Sequence, residues 1–149
     1  MPEELIMRGQ TADGETEILN FSGDKGDNAY KLVDFQLYCS SNVGNQSSEL
    51  AGSISAGKTA HSPTSPDFND EGLIATSYFG LHTSGANPAS SYQIVNDQFM
   101  ITQNLILKVA VCTGSNTQPI NWQCKFEKVK LSSAAEAVAN FKQFTIYDE

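Results

Sequence analysis

The chain is short of charge. Asp, Glu, Lys and Arg make up only 17% of its 149 residues, against about a quarter in ordinary soluble domains. The few charges are also one-sided, with nine Lys and Arg against seventeen Asp and Glu and a net charge of −8. That balance argues against binding a phosphate backbone through counterion release, so neither nucleic acid nor an anionic membrane surface is an expected partner. Cysteine is scarce too: Cys39, Cys112 and Cys124 are an odd number at spacings that fit no zinc pattern, which excludes a disulfide framework. Each sits in a strand-like apolar run and reads as a buried free thiol. No apolar run approaches the length of a membrane helix. The first ten residues, MPEELIMRGQ, carry acidic groups where a secretory signal would be positive, so a cytoplasmic origin is expected.

What is abundant is Ser, Thr, Asn and Gln, and a hydrophobic period of two. In YKLVDFQLYC, residues 30–39, Val33, Phe35, Leu37 and Cys39 share one face while Asp34, Gln36 and Tyr38 share the other, the mark of a half-buried strand. Similar runs occur at ELIMRG, ETEILNF, DEGLIATSYFGL, SYQIVN, FMITQ, NLILKVAV and NWQCKFEKVKL, with Gly, Pro, Asn, Asp and Ser in the gaps. About eight strands in one domain over 1–149 predict an all-β antiparallel sandwich of jelly-roll type.

Two local expectations follow. NLILKVAVC and INWQCKFEKVKL, separated by TGSNTQP, read as a long central hairpin whose second strand changes face near Glu127 and Lys128, as at a bulge. One short helix is predicted in SSAAEAVANFKQF, where Ser133 and Glu136 make a capping box and Val138 and Phe141 an apolar stripe. The tail FTIYDE returns to alternation and could pair with a sheet edge of this chain or of a neighbour.

The stretch GSISAGKT, residues 52–59, satisfies the phosphate-loop pattern at every fixed position. The chemistry of that loop needs a buried strand before it and a helix after it, so that free N–H groups and the helix dipole hold the phosphates. Here Pro63 and Pro66 fall where the helix would have to run. Lys58 is therefore expected to be a solvated lysine, and Gly52 and Gly57 to be turn residues at the junction of a strand edge and a serine-rich loop.

Other chemistry is weaker still. Asp24, Asp27 and Asn28 in GDKGDN, and Asp67, Asn69, Asp70 and Glu71 in DFNDEG, offer the oxygen ligands of calcium but not the spacing of a calcium loop, and the same residues are ordinary in turns. His61 and His82 lack a sequence neighbour that would mark a triad or a zinc site, and no G-x-S-x-G elbow occurs. The chain is expected to be non-enzymatic, with no catalytic residue, cofactor-binding residue or metal ligand to assign. Tyr78, Tyr92 and Trp122, if they lined one sheet face, could stack on sugar rings. Trp122 shares its face with Cys124 and Phe126, and so also reads as a core anchor.

YKLVDFQLYCSS, NDQFMITQNLILKVAV and INWQCKFEKVKLSSAAEAVANFKQF together resemble the small β-sandwich virion proteins of tailed bacteriophages, particularly those of marine hosts. The resemblance implies a decoration or related head protein, assembled in the host cytoplasm. Such a protein binds the outside of a capsid lattice, commonly as a trimer, and clamps adjacent major capsid subunits. The helix and the FTIYDE tail are the segments expected to make subunit contacts. The alternative of another class is a carbohydrate-binding sandwich, with or without a calcium requirement.

Overall fold

In the computed structural model, which describes residues 3–21, 28–83, 89–112, 117–130, 138 and 146, with the backbone alone at 28, the chain forms eight strands. They are β1 (Glu4–Thr11), β2 (Thr16–Leu19), β3 (Asn28–Cys39), β4 (Ser48–Ala56), β5 (Leu73–Leu81), β6 (Ala89–Val95), β7 (Leu105–Val111) and β8 (Ile120–Lys130). A three-stranded sheet has the order β1-β8-β3 and a five-stranded sheet the order β2-β7-β4-β5-β6, with every pairing antiparallel. The fold is the expected all-β sandwich. Its winding is that of a jelly roll: β1 and β2 meet β8 and β7 in opposite sheets, and β3 and β4 then flank β8 and β7 on their other sides.

The core lies between the sheets. Leu32, Phe35 and Leu37 of β3 and Trp122, Cys124 and Phe126 of β8 face Leu50 and Ile54 of β4 and Leu105, Leu107 and Val109 of β7, all buried. Gly52 lets the layers approach, since a Cβ there would stand 2.8 Å from Phe35 Cζ and 3.2 Å from Leu37 Cδ2. Trp122 packs over Gly9 of β1, and its Nε1 donates to the Thr11 hydroxyl at 2.9 Å, a buried pairing that satisfies the indole. The core-anchor reading of Trp122 is therefore the right one.

Several sequence expectations need correction. The hairpin of residues 104–112 with 120–131 does not exist, because β7 and β8 lie in different sheets. The irregularity expected near Glu127 and Lys128 sits instead in the partner strand, between Leu32 and Asp34 of β3. Val33 is the extra residue there, so Leu32 takes the core position that alternation gives to Val33. FMITQ contributes one isolated bridge, Tyr30 to Ile101, and no strand. In its place SELAGSISA forms β4, and the total of eight holds with a different member. Of the expected helix, Val138 alone is described and is helical; Ser133, Glu136 and Phe141 lie outside the described residues. Within FTIYDE, Ile146 is helical and buried, so at that position the tail packs into this chain's own core and does not extend an edge.

Two glutamines close the sandwich where backbone pairing stops. Gln93 of β6 accepts from Phe35 N at 2.6 Å and donates to Asp34 Oδ1 at 2.6 Å, joining edge strand β6 to edge strand β3 just beyond the bulge. Gln118 accepts from Ser40 N (2.6 Å) and Ser41 N (3.0 Å) and donates to Ser48 Oγ (2.9 Å), tying the end of β3 to the start of β4. Each side chain supplies the partner that a neighbouring strand would otherwise give.

Candidate functional site

Strand β4 is central in the five-stranded sheet and buried on both faces, with Ser53 and Ser55 as inaccessible as Leu50 and Ile54. Residues 58–71 cover its outer side. The Ser53 hydroxyl donates to the His61 carbonyl at 2.7 Å, and His61 N donates to Ser55 Oγ at 3.3 Å. These serines are hydrogen-bonded struts under a loop, which accounts for polar groups in so buried a strand.

GSISAGKT is therefore the end of an antiparallel strand and a turn. Gly52 belongs to β4 and is not a turn residue, a correction to the sequence reading, whereas Gly57 has φ of +115° and makes the turn. Lys58 is exposed, and no helix follows among the described residues 58–83. The geometry that a phosphate loop requires is missing.

Both histidines acquire carboxylate partners that the sequence did not disclose. His61 Nε2 stands 2.7 Å from Asp70 Oδ2, while Asp70 Oδ1 accepts from Gly72 N at 2.9 Å. The Gly72 bond, with His61 adding to it, holds the Asp70 carboxyl below its ordinary range. His61 Nδ1 is buried without a hydrogen-bond partner. His82 Nε2 lies 3.6 Å from Glu49 Oε1. Asp67 Oδ1 accepts from Asn69 N at 3.0 Å, so Asp67 and Asp70 serve the local turns of DFNDEG. Asp24 and Asp27 lie outside the described residues, and Asn28 is described by its backbone alone.

The three aromatics do not share a face. Tyr78 and Tyr92 are cross-strand partners on the outer side of β5 and β6, with centroids 6.4 Å apart and rings inclined by 27°. Trp122 is in the other sheet, facing the core. Tyr78 lies flat over Gly80, where a Cβ would meet its hydroxyl at 2.7 Å, and burial raises its phenol above the ordinary value. Tyr92 stands proud at 69% exposed.

Beside this pair is a hollow of about 290 Å³, lined by Ala51, Pro63, Pro66, Tyr78 and Tyr92 among others. Cys112 also lines it, and burial, then the nearby Glu49 and Asp13 charges, push that thiol upward. A second hollow of about 180 Å³ shares Thr76 and Ile94 with the first and is bounded by Phe68. Phe68 and Ile94 are 63% and 59% exposed. None of the residues lining either hollow is charged.

The outer face of the three-stranded sheet is different in kind. Gln10, Asn121 and Tyr38 form one cross-strand row and Arg8, Gln123 and Gln36 the next, around a hollow of about 640 Å³. Further along, Lys125 pairs with Glu4 at 3.3 Å and Lys31 with Glu127 at 3.5 Å. That face carries ion pairs and amides beside exposed Ile6 and Tyr38; the two hollows of the β5–β6 face have no charged lining residue. Nothing in the sequence pattern singled out Phe68 or Ile94, whose neighbourhood arises only from packing.

No protein-family model matches the chain, and no curated protein sequence matches it. Among solved structures it is similar to a chain of desmodium yellow mottle tymovirus, at 9% identity over 88% of this chain and 89% of that one, with a TM-score of 0.36. It is also similar to a chain from the empty head of turnip yellow mosaic virus, at 7% identity over 88% and 82%, with a TM-score of 0.33.

Proposed function

We propose that the protein is a non-enzymatic structural component of a virus particle, a decoration protein that binds a capsid and stabilises it as a symmetric oligomer. The observation that carries the reading is the β5–β6 face. Phe68, Tyr92 and Ile94 stand side by side, each more than half exposed, on a sandwich whose opposite face carries amides and ion pairs. Three large apolar side chains exposed together make a contact surface. Low charge suits the same role, since lattice contacts draw on buried area and hydrogen bonds repeated by symmetry. The sequence resemblance to phage virion proteins gives the finer assignment, and the trimer is the oligomer that resemblance implies.

The test is composition and binding. The protein should be found in purified particles at a copy number set by the particle's symmetry, and purified protein should bind saturably to particles that lack it. Particles without the protein, or binding that never saturates, would overturn the assignment.

A second reading rests on the Tyr78 and Tyr92 pair. A flat tyrosine beside a hollow is a platform on which a sugar ring can stack. It predicts glycan binding that Tyr92→Ala abolishes without loss of folding, measured by glycan array and calorimetry.

A further inference from the structure

We infer that the β5–β6 face, with Pro63, Pro66 and Phe68 beside it, is the surface through which two copies of this chain associate about a two-fold axis. The inference rests on the symmetric-oligomer reading above and puts a two-fold pairing in place of the trimer that the resemblance implies.

Charge is the first argument. The chain carries −8, so two copies repel wherever charged surfaces meet. At an isologous contact the constraint is sharper, because a residue near the axis faces its own copy and any charge there meets its like. The linings of both hollows hold no charged residue, and β6, ASSYQIV, has none along its length. The outer face of the three-stranded sheet has Arg8, Lys125, Glu4, Lys31 and Glu127. Of the two sheet faces, the β5–β6 side has uncharged linings and an uncharged outer strand, with charge beside it at Glu49, Asp13 and Asp67, so it meets itself at the smaller penalty.

Shape is the second. The same face carries a ridge and a hollow: Tyr92 and Ile94 are exposed on β6 and line the larger hollow, whose wall also includes Pro63 and Pro66. A two-fold through this face seats the ridge of each copy in the hollow of the other, so that contact i to j is returned as j to i. The lining of the larger hollow is mostly carbon. It therefore suits an aromatic or aliphatic side chain better than a sugar, which needs several hydrogen-bond partners. Tyrosine at the centre of such a contact is a common energetic anchor.

The experiment is sedimentation equilibrium across a dilution series, with one chain taken as 16.1 kDa. The wild-type protein is expected to show a concentration-dependent dimer, or an even multiple of it. Tyr92→Glu puts a carboxylate into the uncharged hollow of the other copy and should weaken that association by about a hundredfold or more. Ile94→Lys tests the same surface with the other sign and should do likewise. Both sites are exposed, so circular dichroism and melting temperature should match the wild type. Ile18→Glu on β2, also exposed on the outer side of the five-stranded sheet, should leave the mass unchanged. A wild-type monomer at every concentration, a trimer, or an oligomer that persists in both Tyr92→Glu and Ile94→Lys would overturn the inference. A trimer or a persistent oligomer would still leave the virion reading standing, and absence from particles would remove that reading alone. A monomeric wild type that binds a glycan through Tyr92 would assign the face to sugar.

Discussion

Replacing Gln93 with Ala should cost the fold about 2–4 kcal/mol. The side chain makes two contacts of 2.6 Å, accepting from Phe35 N and donating to the Asp34 carboxylate. Phe35 is a buried core residue on an edge strand, next to a bulge that displaces the regular ladder. Truncation leaves the amide without a partner, a penalty of about 1–3 kcal/mol, and removes a hydrogen bond to a charged group, itself worth about 1.5–3 kcal/mol before solvent screening. The second figure must be discounted because this pairing is only part-buried, which brings the sum to the range given. At about 2–4 °C per kcal/mol for a chain of this size, the melting temperature should fall by roughly 4–16 °C. Urea denaturation measures the free energy directly, and a double-mutant cycle with Asp34→Ala isolates the side-chain pair, where a coupling of about 0.5 kcal/mol or more is expected. Gln10→Ala is the control, since its 3.0 Å bond to Asn121 is exposed and should be worth little. If Gln93→Ala cost no more than that control, the claim that these side chains replace a missing strand pairing would be refuted.

Trp122→Ala should destabilise by about 3–5 kcal/mol, a large fraction of any domain's stability, and leave Thr11 without its buried partner; a variant that stays folded with a small loss would contradict the core assignment. Gly52→Ala should cost about 1–3 kcal/mol through overpacking, because the new methyl would meet the Phe35 ring at 2.8 Å, and chemical denaturation would read it. Asp70, held below its ordinary range chiefly by Gly72 N–H, stabilises the fold above the unfolded carboxyl value of about 3.9 and loses that contribution as pH falls through its folded value. The stability gap between wild type and Asp70→Asn should therefore be full at neutral pH and shrink below about pH 4; a gap that widened on acidification would reverse the assignment. Nucleotide with magnesium should leave the melting temperature of wild type and Lys58→Ala alike, since a ligand of the native state must raise it.

Alternation revealed the strands with one wet face and hid the one without. β3 was legible because its outward residues are Asp34, Gln36 and Tyr38. β4 was not, since its outer side, Ala51, Ser53 and Ser55, is small and covered by residues 58–71, and a strand buried twice over by small and hydroxyl residues reads like a loop. FMITQ erred the other way, having strand-like residues but only the Ile101 bridge to use them. Pairing was less accessible still. Adjacency in sequence suggested that β7 and β8 are partners, yet in a wound sandwich the choice between pairing and crossing over is made by the whole core. A one-residue insertion at Val33 shifted the inward set of β3, which no local pattern could date to that strand and not to β8. The candidate face was half legible: Tyr78 and Tyr92 could be named, whereas Phe68, Pro63 and Ile94 join them only through a loop folding back over the sheet.

The position of β8 bears on how the chain is born. It is the middle strand of its sheet and pairs with both β1 and β3, with Thr11 opposite Ile120 and Cys39 opposite the same residue. On a ribosome adding about 5–20 residues per second, β1 therefore waits for roughly 5–20 s before its partner is even synthesised. During that interval Phe35 and Leu37 face no finished layer, and the nascent chain depends on dilution or chaperones to stay single. Slow translation lengthens the exposure, so yield of soluble protein should respond more to chaperone supply and to temperature during synthesis than to the stability of the finished sandwich.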